Sequence, residues 1–173
     1  MKGTTANSLP AEEKARTLIV GLGNPLLTDD AVGLRAAAAL RECIPPEAGV
    51  DVIEDYRGGL RLMECMIGYD RVVIIDALLI DAPPGSLHFL SVHDIPTQRS
   101  ASAHDVNLPT ALDFGRRAGA RLPSDEDILL IGVAAGNVET FDEVMSPAVE
   151  AAVDEVVSAV LEHLGIGERC KSR

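Results

Sequence analysis

The chain has 173 residues, with 27 Asp and Glu against 15 Lys and Arg, so its formal net charge is −12. This acidity argues against nucleic acid as a partner, because phosphate binding depends on Lys and Arg. A hydrophobic fraction of 47% argues against disorder, and no apolar run approaches the ~20 residues of a membrane span. We therefore expect a globular, cytoplasmic protein with no membrane partner, and we expect it to be a monomer.

The chain order of the predicted elements indicates an α/β protein. Residues 1–15 are predicted to be a disordered leader and residues 165–173 a flexible tail, which leaves one domain over 16–164. The predicted strands lie at 17–23, 50–55, 70–80, 86–92 and 127–135. The predicted helices alternate with them and lie at 31–43, 60–67, 104–119 and 146–164.

This alternation predicts a three-layer α/β/α sandwich with a mostly parallel, mixed sheet of about five strands. The very hydrophobic strand at 70–80 is expected at the centre, and the alternating strand at 86–92 near an edge. Ligands of such folds bind beyond the carboxyl ends of the strands. Candidate site residues are therefore sought where strands end.

The first candidate is the motif GLGNPLLTDDAVG, which starts at Gly21. Glycines after a strand let the backbone approach a ligand, and a helix start offers free N–H groups. The dinucleotide fingerprint would need glycine where Leu26 stands, and the adjacent Asp29 and Asp30 would repel a phosphate. One of these acids is predicted to cap the following helix. The other is left without a structural explanation.

Two further residues could join this motif at the same edge. Asp76 interrupts an otherwise apolar strand, and burying its carboxylate is costly unless a cation, a hydrogen-bond donor or a metal satisfies it. A hydrogen bond to the following turn is the structural alternative. His104 precedes a predicted helix and could reach the edge that carries Asp30 and Asp76. Two carboxylates and an imidazole would suit Zn, Fe, Mn or Ni, and the spacing does not choose among them.

Because the chain has no GxSxG nucleophile elbow, any hydrolysis is better explained by metal assistance.

Taken together, these motifs resemble the hydrogenase maturation endopeptidases over about residues 17–164. The resemblance is carried by GLGNPLLTDDAVG, by Asp55 before Gly58 and Gly59, by VVIIDALL with its PPG turn, by the loop ending in His104, and by IGVAAGNVETFDEVMSPAVEAAV. It implies a phosphorylase/hydrolase-like fold. It also implies a cytoplasmic, aspartyl-type endopeptidase that removes a short C-terminal extension from a [NiFe]-hydrogenase large-subunit precursor after nickel insertion.

The resemblance also implies site residues. Asp30, Asp76 and His104 match the metal-contacting positions of the family, and the division between metal ligand and general base stays open. Nickel would arrive bound to the precursor, so the free enzyme need hold no tightly bound metal. Because metal contact needs a neutral His104, we expect activity to fall below a pH of about 6.5. The residues assigned to substrate binding are Gly21, Gly23, Asn24, Asp55, Gly58 and Gly59.

Three other functions stay open at this point. A non-catalytic, precursor-binding chaperone of the same fold would use the same residues. Peptidyl-tRNA hydrolases also carry GLGNP, but the continuation here differs and the charge is wrong for tRNA. A nucleotide-binding α/β domain is disfavoured by Leu26 and by the paired acids.

Overall fold

The fold is described from a computed structural model over residues 15–94 and 107–167. The strands of its single sheet are β1 (Thr17–Leu22), β2 (Val50–Asp55), β3 (Arg71–Leu78), β4 (Leu87–Leu90) and β5 (Ile128–Ala134). Their order is β2-β1-β3-β5-β4, with every pair parallel except β4 and β5. The predicted mixed sheet is confirmed, with β3 at its centre and β4 at an edge.

Four α-helices cover the sheet within the described ranges: α1 (Val32–Cys43), α2 (Gly59–Met66), α3 (Leu108–Arg117) and α4 (Pro147–His163). At the start of α3 the side chain of Asn107 accepts the Thr110 N–H at 3.0 Å, and Pro109 lies in the first turn, where its missing N–H is harmless. In the described part of the chain, no helix is both long and apolar enough to cross a membrane.

Two apolar clusters separate the three layers, because alternate residues of each strand point to opposite faces. On one face, Ile19, Val73 and Ile131 pack with α1 and α4. On the other face, Val20, Ile74 and Leu130 pack with α2 and α3. The predicted three-layer sandwich is thus confirmed.

One prediction about α1 is wrong. Neither Asp29 nor Asp30 caps it, because a 3₁₀ turn at Thr28–Ala31 precedes the helix and Ala31 occupies the cap position. No side chain makes a capping hydrogen bond at either start. Both carboxylates are therefore free for other partners.

Candidate functional site

The candidate site lies where β1 and β3 end. Asp30 belongs to the 3₁₀ turn that follows β1, and Asp76 lies two residues before the end of β3. Helix α1 holds the turn close to β3, since a Cβ built on Gly33 would lie only 2.4 Å from the Ile75 carbonyl oxygen. The turn that carries Asp30 is thereby packed against the strand that carries Asp76.

Asp30 lies near enough to Asp76 to influence the ionisation of the Asp76 carboxyl group. Burial, together with the negative charge of Asp30, raises the pKa of Asp76 to about 7. Burial also raises the pKa of Asp30, although the Asn24 N–H donates to its Oδ2 at 2.8 Å and acts in the opposite direction. The Ala77 N–H donates to Asp76 Oδ1 at 2.9 Å. Among the described residues, one N–H group donates to each carboxyl group, which leaves the pair able to bind a cation.

Asp29 has a different set of partners and is completely buried. Its Oδ2 accepts the N–H groups of Gly136 and Asn137, each at 2.9 Å, and its Oδ1 accepts the Ser146 N–H at 2.7 Å. Burial would raise the pKa of Asp29, but these hydrogen bonds to its charged form lower it on balance. Asp29 therefore clamps the loop between β5 and α4, which we call the 136–146 loop.

Thr28 strengthens this clamp at the expense of backbone strain. It is buried, and its φ of 36° lies in the left-handed region that β-branched residues rarely adopt. Its hydroxyl donates to the Asn137 carbonyl oxygen and its N–H donates to the Asp142 carbonyl oxygen at 2.8 Å. The surrounding hydrogen bonds hold this conformation.

A cavity of about 390 Å³ adjoins the turn, between the ends of β1 and β2. Gly23, Asn24 and Asp55 line it together with Tyr56. Asp55 is not available as a free carboxylate there, because the Arg57 guanidinium pairs with both of its oxygens, at 2.9 and 3.0 Å. That pairing is the main reason that the pKa of Asp55 is lowered.

The predicted substrate-binding residues have distinct surroundings. Gly21 is buried against α1, where a Cβ would lie 2.2 Å from the Gly33 carbonyl oxygen. Gly21 therefore allows β1 and α1 to pack closely. Gly23 and Asn24 line the cavity. Gly58 is exposed at the cap of α2, which begins at Gly59 with a φ of 56°. Their assignment to substrate binding stays a prediction.

His104 lies outside the described residues, so its place relative to the two acids stays a prediction as well. Among residues 15–94 and 107–167, no three His, Cys, Asp or Glu side chains are grouped so that they could hold a metal ion. Helix α3, which begins four residues after His104, packs on the face shared by Ile74, and by alternation Asp76 belongs to that face.

Sequence reasoning missed two residues that shape this site. Arg57 is not among the predicted site residues, although an arginine two residues after an acid in a glycine-flanked turn is well placed to pair with that acid. The second residue is Asn137, whose carbonyl oxygen accepts the Thr28 hydroxyl and whose N–H donates to Asp29 Oδ2. The Gly136-Asn137 pair directly after a strand was a turn signal that could have indicated the loop.

Fold and site together define a class: a mixed, three-layer α/β protein with paired carboxyl groups at the carboxyl edge of its central strands. The family model of the hydrogenase maturation proteases of the HycI type matches residues 34–163, which is more than half of the chain. The chain therefore belongs to the hydrogenase maturation protease family. Asp76 lies inside the matched range and Asp30 lies just before it.

Individual relatives agree with this family. The hydrogenase 2 maturation protease of Escherichia coli K12 is 29% identical over 152 residues, covering 86% of this chain and 90% of its own length. The hydrogenase maturating endopeptidase HybD from E. coli is similar in structure, with a TM-score of 0.73, 30% identity and coverage of 87% and 92% of the two chains. The [NiFe] hydrogenase maturation protease HybD from Thermococcus kodakarensis gives a TM-score of 0.62 at 29% identity, covering 86% and 99%.

Proposed function

We propose that this protein is an endopeptidase that removes the C-terminal extension of a [NiFe]-hydrogenase large-subunit precursor after nickel has been inserted. Its family supports the protease activity, and the pairing of Asp30 with Asp76 supports recognition of a metal. The predicted cytoplasmic location and the monomeric state belong to this proposal.

The acid pair carries the proposal because of its electrostatics. Two carboxyl groups that repel each other in a partly desolvated site bind a divalent cation more readily than either group alone in water. Nickel in the precursor is part of the substrate, and Asp30 and Asp76 would contact it there. His104 is the third proposed contact. A precursor without nickel would offer these groups no cation, which would make cleavage depend on metal loading.

Contact between the metal and Asp76 would be accompanied by release of a proton. With a pKa of about 7, the Asp76 carboxyl group holds a proton much of the time in the resting protein near neutral pH. An approaching cation stabilises the carboxylate, so the proton leaves as the metal binds. The scissile amide is then hydrolysed by water, which adds a hydroxyl to the acyl carbon while the leaving amine takes up a proton.

The proposal is tested by the intact mass of nickel-loaded and nickel-free precursors after incubation with the wild type. We expect loss of a short C-terminal peptide from the nickel-loaded form alone. Asp76→Asn should lose this activity, whereas Asp81→Asn, which changes an exposed acid in the turn after β3, should keep it.

Cleavage of both precursor forms would keep the protease and reject recognition of nickel. Binding of the precursor with no loss of mass, under conditions where a control maturation protease works, would favour the chaperone of the same fold. Normal processing by Asp76→Asn would exclude its proposed role.

A further inference from the structure

Three exposed apolar side chains lie on segments that adjoin the acid pair, and no step of the proposed reaction uses them. Leu26, Phe141 and Val144 are 51%, 82% and 68% exposed, and we call them the apolar patch. Large apolar side chains grouped at the surface are typical of interaction sites.

The patch is held in place by backbone pairing. Leu27 and Asp142 form a parallel β-bridge, in which the Asp142 N–H donates to the Leu26 carbonyl oxygen at 3.1 Å. Leu26 and Phe141 each precede one partner of this bridge, so the two segments present them side by side. The Val144 N–H donates to Asp142 Oδ1 at 3.0 Å, which fixes the third member on the same loop.

The patch is continuous with the candidate site. The turn that carries Leu26 closes around Asp30, since the Asn24 N–H donates to the Asp30 carboxylate and the Asp30 N–H donates to the Leu27 carbonyl oxygen at 2.8 Å. The 136–146 loop is clamped by the neighbouring acid, Asp29. The patch is therefore carried by the same turn that holds Asp30 and by the loop that Asp29 clamps.

The charge around the patch indicates what kind of surface would cover it. Glu139, Asp142 and Glu143 are exposed on the same loop. From residue 122 to residue 167 the sequence contains no Lys or Arg. A complementary surface would present apolar side chains surrounded by Lys and Arg.

We propose that the apolar patch and its acidic rim form the docking surface for a basic, apolar-centred surface on the hydrogenase large-subunit precursor. This inference rests on the proposed function and adds to it a second point of recognition, which is independent of the metal. The apolar patch contributes binding affinity, and the acidic rim attracts the precursor electrostatically. The acid pair contacts the metal.

The test measures processing of the nickel-loaded precursor at varied concentration. The double variant Phe141→Ala/Val144→Ala should raise KM about tenfold and leave kcat within about twofold, because it removes exposed docking contacts only. Phe114→Ala is the matched control, since Phe114 is 61% exposed on α3 and should leave both constants unchanged.

A second pair of variants tests the rim. Glu139→Lys/Glu143→Lys should raise KM at low salt, and the difference from wild type should shrink as salt rises. Glu155→Lys/Glu162→Lys, which reverses two exposed acids of α4, changes the net charge equally and should have little effect on KM.

The possible outcomes test the docking surface separately from the proposed protease activity. If the wild type cleaves and the patch variants keep its KM, the docking surface is wrong and the protease stands. If the wild type does not cleave, direct binding of the precursor decides: weaker binding by the patch variants supports docking without catalysis, and equal or absent binding overturns both. If light scattering shows a wild-type dimer that Phe141→Ala dissociates, the patch is a contact between copies and the inference fails.

Discussion

At the scale of single residues, Asp29 and Asp30 show how two adjacent and chemically identical side chains take different tasks. Asp29 is satisfied by three backbone N–H groups and carries a lowered pKa, whereas Asp30 accepts one N–H and carries a raised pKa. The first stabilises the fold, and the second is the one that we propose for contact with the metal of the precursor. The difference comes from the partners that the fold brings to each side chain.

Asp29→Asn should therefore lower the free energy of unfolding by about 1–3 kcal/mol, because an amide cannot accept all three N–H groups and one buried donor loses its partner. Asp30→Asn should leave stability unchanged or raise it, because it removes the repulsion with Asp76. Urea unfolding at neutral pH measures both. An equal loss of stability in the two variants would contradict this division of roles.

Ionisation of Asp76 should make stability depend on pH. Its pKa of about 7 in the folded protein lies above the value of about 3.9 of an unfolded Asp, so between these pH values the folded state holds a proton that the unfolded state has lost. The contribution of Asp76 to stability therefore falls as pH rises through this window and is constant above it.

The amide side chain of Asp76→Asn does not titrate, so the free energy of unfolding of this variant should rise by about 2–3 kcal/mol relative to the wild type between pH 5 and pH 8. Urea unfolding at both pH values measures the change, with Asp81→Asn as the control that should show none. A constant difference between Asp76→Asn and the wild type would show that Asp76 ionises normally.

Asp76 and Asp30 could be predicted as candidates because each stands out in the local sequence. Burying Asp76 in an apolar strand is costly, and Asp30 is a second acid where one would suffice as a helix cap. An acid inside an apolar strand needs a partner, and a second acid at a helix start has no capping role. The clamp by Asp29 could not be predicted, because its partners lie more than 100 residues further along the chain. Hydrogen bonds of that kind depend on tertiary structure and leave no local signal.

At the scale of elements, the contact of α1 with the sheet depends on glycines. A Cβ on Gly33 would lie 2.2 Å from the Leu22 carbonyl oxygen and 2.4 Å from that of Ile75. A Cβ on Gly23, whose φ is 147°, would lie 1.8 Å from the Asp30 carbonyl oxygen. The motif glycines thus allow the helix and the 3₁₀ turn to approach the sheet closely enough to bring Asp30 near Asp76.

Gly33→Ala should therefore lower stability by about 1–3 kcal/mol, because the backbone oxygens that the added Cβ meets belong to β1 and β3, so the helix would have to move away from the sheet. The thermal midpoint should fall by several degrees. Gly58→Ala is the control, since no atom lies within 4 Å of the added Cβ and the φ there is −92°. A similar fall in both variants would refute the packing argument.

The elements themselves were largely predictable. The five strands and four helices begin and end within a few residues of the predicted bounds wherever the structure describes them, because each combines a clear apolar period with Gly or Pro at its boundaries. The error was local: the acids after β1 suggested a helix cap, but a 3₁₀ turn stands there. A turn of four residues has no period for a sequence pattern to reveal.

At the scale of the whole molecule, the position of each strand in the sheet determines how well it is shielded from solvent. β3 lies between β1 and β5 and is covered by helices on both faces, whereas β4 has four residues, pairs only with β5 within the described sheet, and is partly exposed. Stability against local opening is expected to follow this ranking.

Hydrogen–deuterium exchange should show the slowest amide exchange in β3 and β5 and the fastest strand exchange in β4. Peptide-level mass spectrometry at neutral pH would measure it. Protection of β4 equal to that of β3 would mean that its open edge is covered in solution, and light scattering would then show whether a second copy covers it.

The long span of the Asp29 clamp has a consequence for synthesis of the protein. Asp29 leaves the ribosome 107 residues before Gly136 and 117 before Ser146, which at about 5–20 residues per second is roughly ten seconds of translation. Strands β1, β2 and β3 can assemble early in that interval, whereas β5 is made only near its end. The nascent chain thus cannot complete the Asp29 clamp until Ser146 has been made, so a product that ends before Ser146 would lack part of the clamp.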